Sequence, residues 1–162
     1  MITLLIKNAS FVATMDKNEN ELRDVSIFCE NGVIKDVVDC KNIVKNIDTM
    51  PDSFYCMNGD LLLNVDIPNF INASSECSNS LIGSYEAEDP TRYGVLEIDK
   101  NDKVVQFIEK PKDKSYGNKI SLGLYHLYKK DILSIHENLE IPCSFERNVC
   151  PMLSKASLLS TY

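Results

Sequence analysis

The feature that most constrains this chain is Gly94-Val95-Leu96-Glu97-Ile98-Asp99, followed by Val104-Val105-Gln106-Phe107-Ile108-Glu109-Lys110-Pro111. Two short apolar segments flank a tight polar turn, the pattern of two paired strands. The second segment ends in an acid next to a base. On an extended backbone, consecutive side chains point to opposite faces of a sheet. Pro111 cannot donate to a strand ladder, so a strand that stops between Glu109 and Lys110 lets both turn towards a common cleft. A carboxylate accepts hydrogen bonds from hydroxyls, and an ammonium neutralises a phosphate as a compact charge. The pair suits a phosphorylated sugar; two solvated charges at a strand end are the plain alternative.

Punctuation along the rest of the chain predicts strands alternating with helices, hence a mixed α/β sheet. Residues 3–15 read as a strand. Segments 24–30 and 33–38 read as a hairpin, because Asn31-Gly32 supplies the positive φ angles of a two-residue turn. Ile43, Val44 and Ile47 fall at helical spacing within 39–50. Phe54 to Met57 is a buried strand leading into Gly59-Asp60. A short helix is expected over Pro68 to Ala73, a Ser/Asn-rich loop over 74–80, and strands at 81–86, 94–98, 104–109 and 119–128. Asp131 and Ser144 are expected to cap two further helices.

Composition excludes some partners. The 162 residues carry a net charge of −7 and three arginines (Arg23, Arg92, Arg147), so no clustered positive surface for nucleic acid is expected. No run reaches the ~18 apolar residues that span a bilayer. The N-terminus has no cationic start followed by an uninterrupted apolar run, so a cytoplasmic protein is expected. The six cysteines contain no C-x-x-C spacing and read as reduced structural thiols. His126 alternates with apolar residues on a strand and reads as packing.

Asp89 to Pro111 resembles the core signature of the sugar-1-phosphate nucleotidyltransferases, which make nucleotide sugars such as GDP-mannose. Three further segments agree, in order: Phe54-Tyr55-Cys56-Met57-Asn58-Gly59-Asp60, Ile120-Ser121-Leu122-Gly123-Leu124-Tyr125, and Ser144-Phe145-Glu146-Arg147-Asn148-Val149-Cys150-Pro151. The resemblance covers about residues 48–162 and is nearest to the mannose-1-phosphate guanylyltransferases. It implies a partial Rossmann-like sheet and the reaction of a sugar-1-phosphate with a nucleoside triphosphate, releasing pyrophosphate. Asp60 would be a Mg²⁺ ligand, Lys110 would hold the sugar phosphate, and Glu109 with Gly94 would hold sugar hydroxyls. Ser121 and Gly123 stand in the substrate-binding segment, where the family pattern has Asn-Ala-Gly; Ser121 replaces the Asn and Leu122 the Ala. The strand ends at 59–60 and 109–110 should open onto one cleft with Gly94 on its wall.

The family pattern opens with a strand and a Gly-rich loop whose backbone N–H groups hold nucleotide phosphates. The six glycines here, at 32, 59, 83, 94, 117 and 123, form no such loop. A second metal-binding aspartate of the family pattern is also not found after Leu158. Residues 2–40 instead resemble the N-terminal strands of an amidohydrolase of the purine/triazine deaminase type, without its His-x-His metal motif. The expected organisation is an amidohydrolase-like antiparallel β unit (1–40), separate from the transferase sheet, and a truncated nucleotidyltransferase-like domain (41–162). Three functions follow: a nucleotidyltransferase completed by a partner subunit or a homo-oligomer, a non-catalytic sugar-phosphate-binding or regulatory module, or an amidohydrolase remnant acting on C–N bonds.

Overall fold

The computed structural model describes residues 3–9, 12–13, 17, 20–39, 51–59, 64–139 and 143–162. The helix expected over 39–50, apart from its first residue, and the expected metal ligand Asp60 lie outside the described residues. Among them run β1 (Thr3–Ala9), β2 (Val12–Ala13), β3 (Glu21–Leu22), β4 (Val25–Glu30), β5 (Val33–Asp39) and β6 (Ser53–Asn58). Helix α1 (Ile67–Glu76) follows, then β7 (Ser80–Glu86), β8 (Gly94–Ile98), β9 (Val104–Glu109) and β10 (Lys119–Tyr128). The chain closes with α2 (Lys129–His136), α3 (Cys150–Lys155) and β11 (Leu159–Thr161). The expected mixed α/β class holds: one mixed sheet in the order β11-β7-β10-β6-β1-β4-β5, with β8 branching from β10 and carrying β9, and β2-β3 as a small antiparallel pair.

The N-terminal segment is half as expected. Strands β1, β4 and β5 are antiparallel neighbours, and the β4–β5 hairpin turns at Asn31 and Gly32, both at positive φ. The expectation that this unit stays out of the transferase sheet is corrected. β1 lies parallel to β6, pairing Leu4 with Tyr55 and Lys7 with Asn58. An apolar strand with no charged residue until Lys7 can be covered on both faces, as a central parallel strand must be. The two strand ends meet closely at Gly59, where an added Cβ would lie 3.0 Å from both Cα and Cβ of Ala9.

Period-two alternation sorts the side chains onto the two faces of the sheet. Phe54 and Cys56 of β6, with Tyr125 and Leu127 of β10, enter the larger core beside Ile132 and Ile135 of α2 and Leu153 of α3. Tyr55, Met57 and Leu124 pack on the opposite face against Phe70 of α1. Helix α1 starts earlier and ends later than the sequence suggests, because the Asp66 carboxylate caps it by accepting from the Asn69 N–H at 3.1 Å. Ser144 caps its turn as expected, accepting from the Arg147 N–H at 3.2 Å. Asp131 does not cap α2. It is buried within the helix's first turn, and its carboxylate accepts from the Ser80 N–H (2.9 Å) and hydroxyl (2.8 Å). Helix α2 is thereby tied to the start of β7 by two charge-assisted bonds, each worth ~1.5–3 kcal/mol. The described cysteines are all free thiols.

His126 is buried between the rings of Tyr55 and Tyr128, each with its centroid 4.9 Å away. Burial holds its imidazole below the ordinary value of 6.5, since desolvation disfavours the charged form. The neutral folded form binds fewer protons than the unfolded chain. This contribution is therefore complete above about pH 6.5 and declines as pH falls below it. Melting temperatures measured from pH 7.5 to 5 should fall less steeply for His126→Phe than for the wild type. Gly59→Ala should force β1 and β6 apart, costing about 1–3 kcal/mol as overpacking does. Hydrogen exchange should then rise in β1 and β4, with β7 and the C-terminal half of β10 unchanged; uniform exchange across the sheet would contradict the close approach at Ala9.

Candidate functional site

β10 builds the site by changing its register. Its first residues pair with β7, Ser121 opposite Ser84, and its later ones again, Tyr125 opposite Ile82. Four steps along β10 thus match two along β7. On the other side, Ile120 pairs with Val95 of β8, while Leu124 to Tyr128 pair with β6. The strand bulges where it passes from one partner to the other, and the sheet opens there. Gly123 lies at φ +67, a left-handed conformation that costs glycine nothing sterically. The Ser121 hydroxyl accepts from the Gly123 N–H at 3.0 Å and lies 3.2 Å from the Tyr125 hydroxyl, fixing the bulge.

A cavity of about 400 Å³ occupies this opening, within the size range of small-molecule sites. Asn58 lines it from the end of β6, Gly94 and Glu109 from the β8–β9 pair, Ser121, Leu122 and Gly123 from the bulge, and Glu146 from the turn before α3. Arg92 and Lys110 bring the positive charges. The expected substrate residues Gly94, Glu109, Lys110, Ser121 and Gly123 are all brought together. Asp60 follows Gly59 but lies outside the described residues.

Gly94 and Glu109 are register partners. A Cβ at Gly94 would sit 2.4 Å from Phe107 Cζ and 3.2 Å from Glu109 Oε2, so the carboxylate and the ring occupy the space a side chain would need. The turn ahead of Gly94 is shaped by Asp89, whose carboxylate accepts from the Thr91 hydroxyl at 2.8 Å. That bond, chiefly, holds the Asp89 carboxyl below its ordinary range.

Lys110 carries a positive φ that the sequence could not show, +48°. The strand leaves its extended path there, and the Lys110 N–H donates to the Tyr93 carbonyl at 3.0 Å. Consecutive residues therefore face one cavity, as the position of Pro111 suggested. Lys110 Nζ lies 3.7 Å from Glu109 Oε1, with the lysine side chain 61% exposed and the glutamate 16%. An exposed pair like this adds little stability; its value lies in placing an exposed ammonium beside a largely buried carboxylate. A non-glycine residue in the left-handed region costs of order 1 kcal/mol and is held there by its surroundings.

Asn58, Arg92, Phe107, Tyr125 and Glu146 are cavity residues to which sequence reasoning gave no role. Tyr125 and Glu146 lie inside segments that resemble the transferases, and Arg92 is adjacent to Tyr93-Gly94; strand ends and turn geometry were the missing signal. Tyr125 is fully buried and packs edge-on against Phe145, with ring centroids 5.0 Å apart. Burial pushes its hydroxyl well above the ordinary phenol range, and Cys150 and Glu146 add to this. The hydroxyl thus remains protonated as a donor. Among the described residues no group of three His, Cys, Asp or Glu side chains could hold a metal ion, and none of their helices is long and apolar enough to cross a membrane.

The nucleotidyl transferase family model matches residues 9–158. A protein of Oryza sativa subsp. japonica named probable mannose-1-phosphate guanylyltransferase 1 is 32% identical over 68% of this chain and 30% of its own length. The bifunctional protein GlmU of Methanococcus vannielii is 31% identical over 64% of this chain and 23% of its own. The crystal structure of HddC from Yersinia pseudotuberculosis superposes with a TM-score of 0.57 at 28% identity, over 75% of this chain and 51% of that one. The chain therefore spans less than a third of the length of these curated relatives. The family match begins at residue 9 and takes in most of the segment that resembled an amidohydrolase. That resemblance is unsupported, and β1 is a strand of the transferase sheet.

Lys110→Gly separates backbone from charge. It should raise stability by about 0.5–1 kcal/mol in chemical denaturation, by relieving the left-handed strain, while weakening phosphate binding by calorimetry. A loss of stability would show that the Lys110 side chain contributes more to folding than its backbone strain costs.

Proposed function

Because the chain belongs to the nucleotidyl transferase family, we propose that its cavity is the sugar-1-phosphate half of a nucleotidyltransferase site serving nucleotide-sugar synthesis. The observation that supports this best is the convergence of Gly94, Glu109 and Lys110 on one cavity with the β10 bulge. Glu109 is fixed and largely buried, so its carboxylate accepts hydrogen bonds from sugar hydroxyls without reorganising. Gly94 leaves the room for that contact. Lys110, exposed at the rim, neutralises a phosphate, and Arg92 adds a planar donor suited to the same oxygens. Ser121 and Gly123 act chiefly by holding the bulge, and the half-buried Ser121 contacts the ligand second.

In the full reaction a phosphate oxygen of the sugar-1-phosphate attacks the α-phosphorus of a nucleoside triphosphate. A new P–O bond forms, the bond to the β-phosphate breaks, and pyrophosphate leaves with the electron pair. Such transfer depends mainly on positioning and electrostatics. The cavity residues orient the nucleophile and offset its charge. Mg²⁺, with Asp60 as one ligand, would supply charge neutralisation at the phosphates; the described carboxylates do not form a metal cage.

The nucleotide half is the part this chain lacks on its own. β1 brings its C-terminal end beside Asn58, where the family pattern continues into a Gly-rich loop, but the sequence there is Lys7-Asn8-Ala9-Ser10-Phe11. Loss of one preorganised oxyanion donor lowers a rate by ~10²–10³, and a missing phosphate loop removes several. On this reading these residues form a sugar-phosphate-binding half-site, and turnover needs a nucleotide site supplied from outside them.

Calorimetry with a hexose 1-phosphate and with nucleoside triphosphates, run separately, tests this reading. The chain should bind the sugar phosphate, lose at least tenfold in affinity on Lys110→Ala, and release no pyrophosphate when both ligands are present with Mg²⁺. Steady pyrophosphate release would overturn the half-site reading, and absence of sugar-phosphate binding would remove the functional one.

A further inference from the structure

Asn58 lines the cavity, and its side-chain oxygen Oδ1 is buried without a hydrogen-bond partner. An unpaired acceptor taken out of water is destabilising, and native structures keep few of them. Its surroundings explain why no described group serves it. β6 ends at Asn58, β1 runs alongside with Lys7 as register partner, and Gly59 beyond it is pressed against Ala9. The Glu109 and Glu146 carboxylates also line the cavity, and they only accept when ionised. The Ser121 hydroxyl, a neutral donor in the bulge, is already within hydrogen-bond distance of both Gly123 and Tyr125.

We propose that Asn58 is a specificity-determining residue of this site, its carbonyl oxygen accepting a hydrogen bond from a hydroxyl of the bound sugar phosphate. The inference rests on the sugar-phosphate reading of the cavity and adds to it a chemical selectivity. Asn58, Glu109 and Glu146 bring acceptors to the same cavity that Arg92 and Lys110 line with positive charge. A sugar whose substituents there are hydroxyl donors satisfies them. An N-acyl substituent keeps one N–H donor, but it adds a carbonyl and bulk beside Leu122 that move this donor out of reach of Asn58. A site that hydrogen-bonds a donor rejects the analogue lacking it, because its own buried group is left unpaired. The preferred substrate class is therefore an unsubstituted hexose 1-phosphate over an N-acylaminohexose 1-phosphate. The phosphate itself contacts Lys110 and Arg92 and is indifferent to Asn58.

The test compares wild type, Asn58→Leu and Asn58→Asp by calorimetry against mannose 1-phosphate, N-acetylglucosamine 1-phosphate and inorganic phosphate, with melting temperatures alongside. Wild type should favour mannose 1-phosphate about tenfold. Asn58→Leu, branched alike but without the acceptor, should weaken mannose 1-phosphate about tenfold, or ~1.4 kcal/mol, and erase the preference. Inorganic phosphate should bind wild type and Asn58→Leu alike, whereas Asn58→Asp, which keeps the acceptor but adds a negative charge, should weaken mannose 1-phosphate and inorganic phosphate by the same factor. Asn58→Leu should also melt no lower than wild type, because the orphaned acceptor is gone. Undiminished binding to Asn58→Leu would overturn the inference, as would a parallel loss of inorganic phosphate in Asn58→Leu, or a loss in Asn58→Asp larger for mannose 1-phosphate than for inorganic phosphate. A lower melting temperature for Asn58→Leu would overturn it too, by showing that Oδ1 is satisfied within the fold. If wild type binds neither sugar phosphate, the reading of the cavity fails first; if it binds both and Asn58→Leu is unchanged, only the role of Asn58 fails.

Discussion

The register change in β10 is the constraint on which the rest of the molecule depends. A strand that keeps one register presents a continuous ladder and leaves no opening. Here the four steps from Ser121 to Tyr125 answer two on β7, and β10 pairs with β8 at its start and with β6 at its end. The gap between those partners is the cavity. Two small features hold it: a glycine at positive φ, and a serine hydroxyl accepting from that glycine's N–H. Bulges commonly re-aim side chains beside functional sites, and this one places Ser121 and Tyr125 within hydrogen-bond reach of each other on one wall.

Charge follows from the same frame. The β8–β9 pair can deliver Glu109 to the opening only because β8 takes just the first part of β10. Lys110 then turns back over the carboxylate through its left-handed backbone. The result is a cavity lined by a largely buried carboxylate and an exposed ammonium. A polyhydroxylated anion is the ligand chemistry that meets both.

Much of this was legible in the chain, for identifiable reasons. The β8–β9 pair and the β4–β5 hairpin announce themselves through period-two alternation and, in the second case, Asn31-Gly32. The common cleft for Glu109 and Lys110 follows from Pro111 ending the ladder. Other features leave no local trace. Leu4-Leu5-Ile6 serves equally well as an edge strand or as a central parallel one, and only its pairing with Tyr55 to Met57 decides between them. Asp131 looks like a cap because it opens a polar-apolar helical pattern. Its partner is Ser80, 51 positions away, which no local rule supplies. The cavity role of Asn58 depends on where β6 stops and on a hydrogen bond that is not made. An unmet requirement cannot be read from residue types alone.

The placement of β1 also orders assembly in time. Gly94 to Ile98 meets Val104 to Glu109 across a single turn, so closing that loop costs little chain entropy. β1 must instead find β6 across a long intervening stretch of chain, and such long-range parallel pairing is slow. The hairpin that carries Glu109 can thus form early and locally, while the strand beside Asn58 docks late. A nascent or partly opened chain would then hold the Glu109 hairpin before β1 lies beside Asn58, and, if the cavity takes a sugar phosphate as proposed, selectivity among sugars would mature after affinity for phosphate.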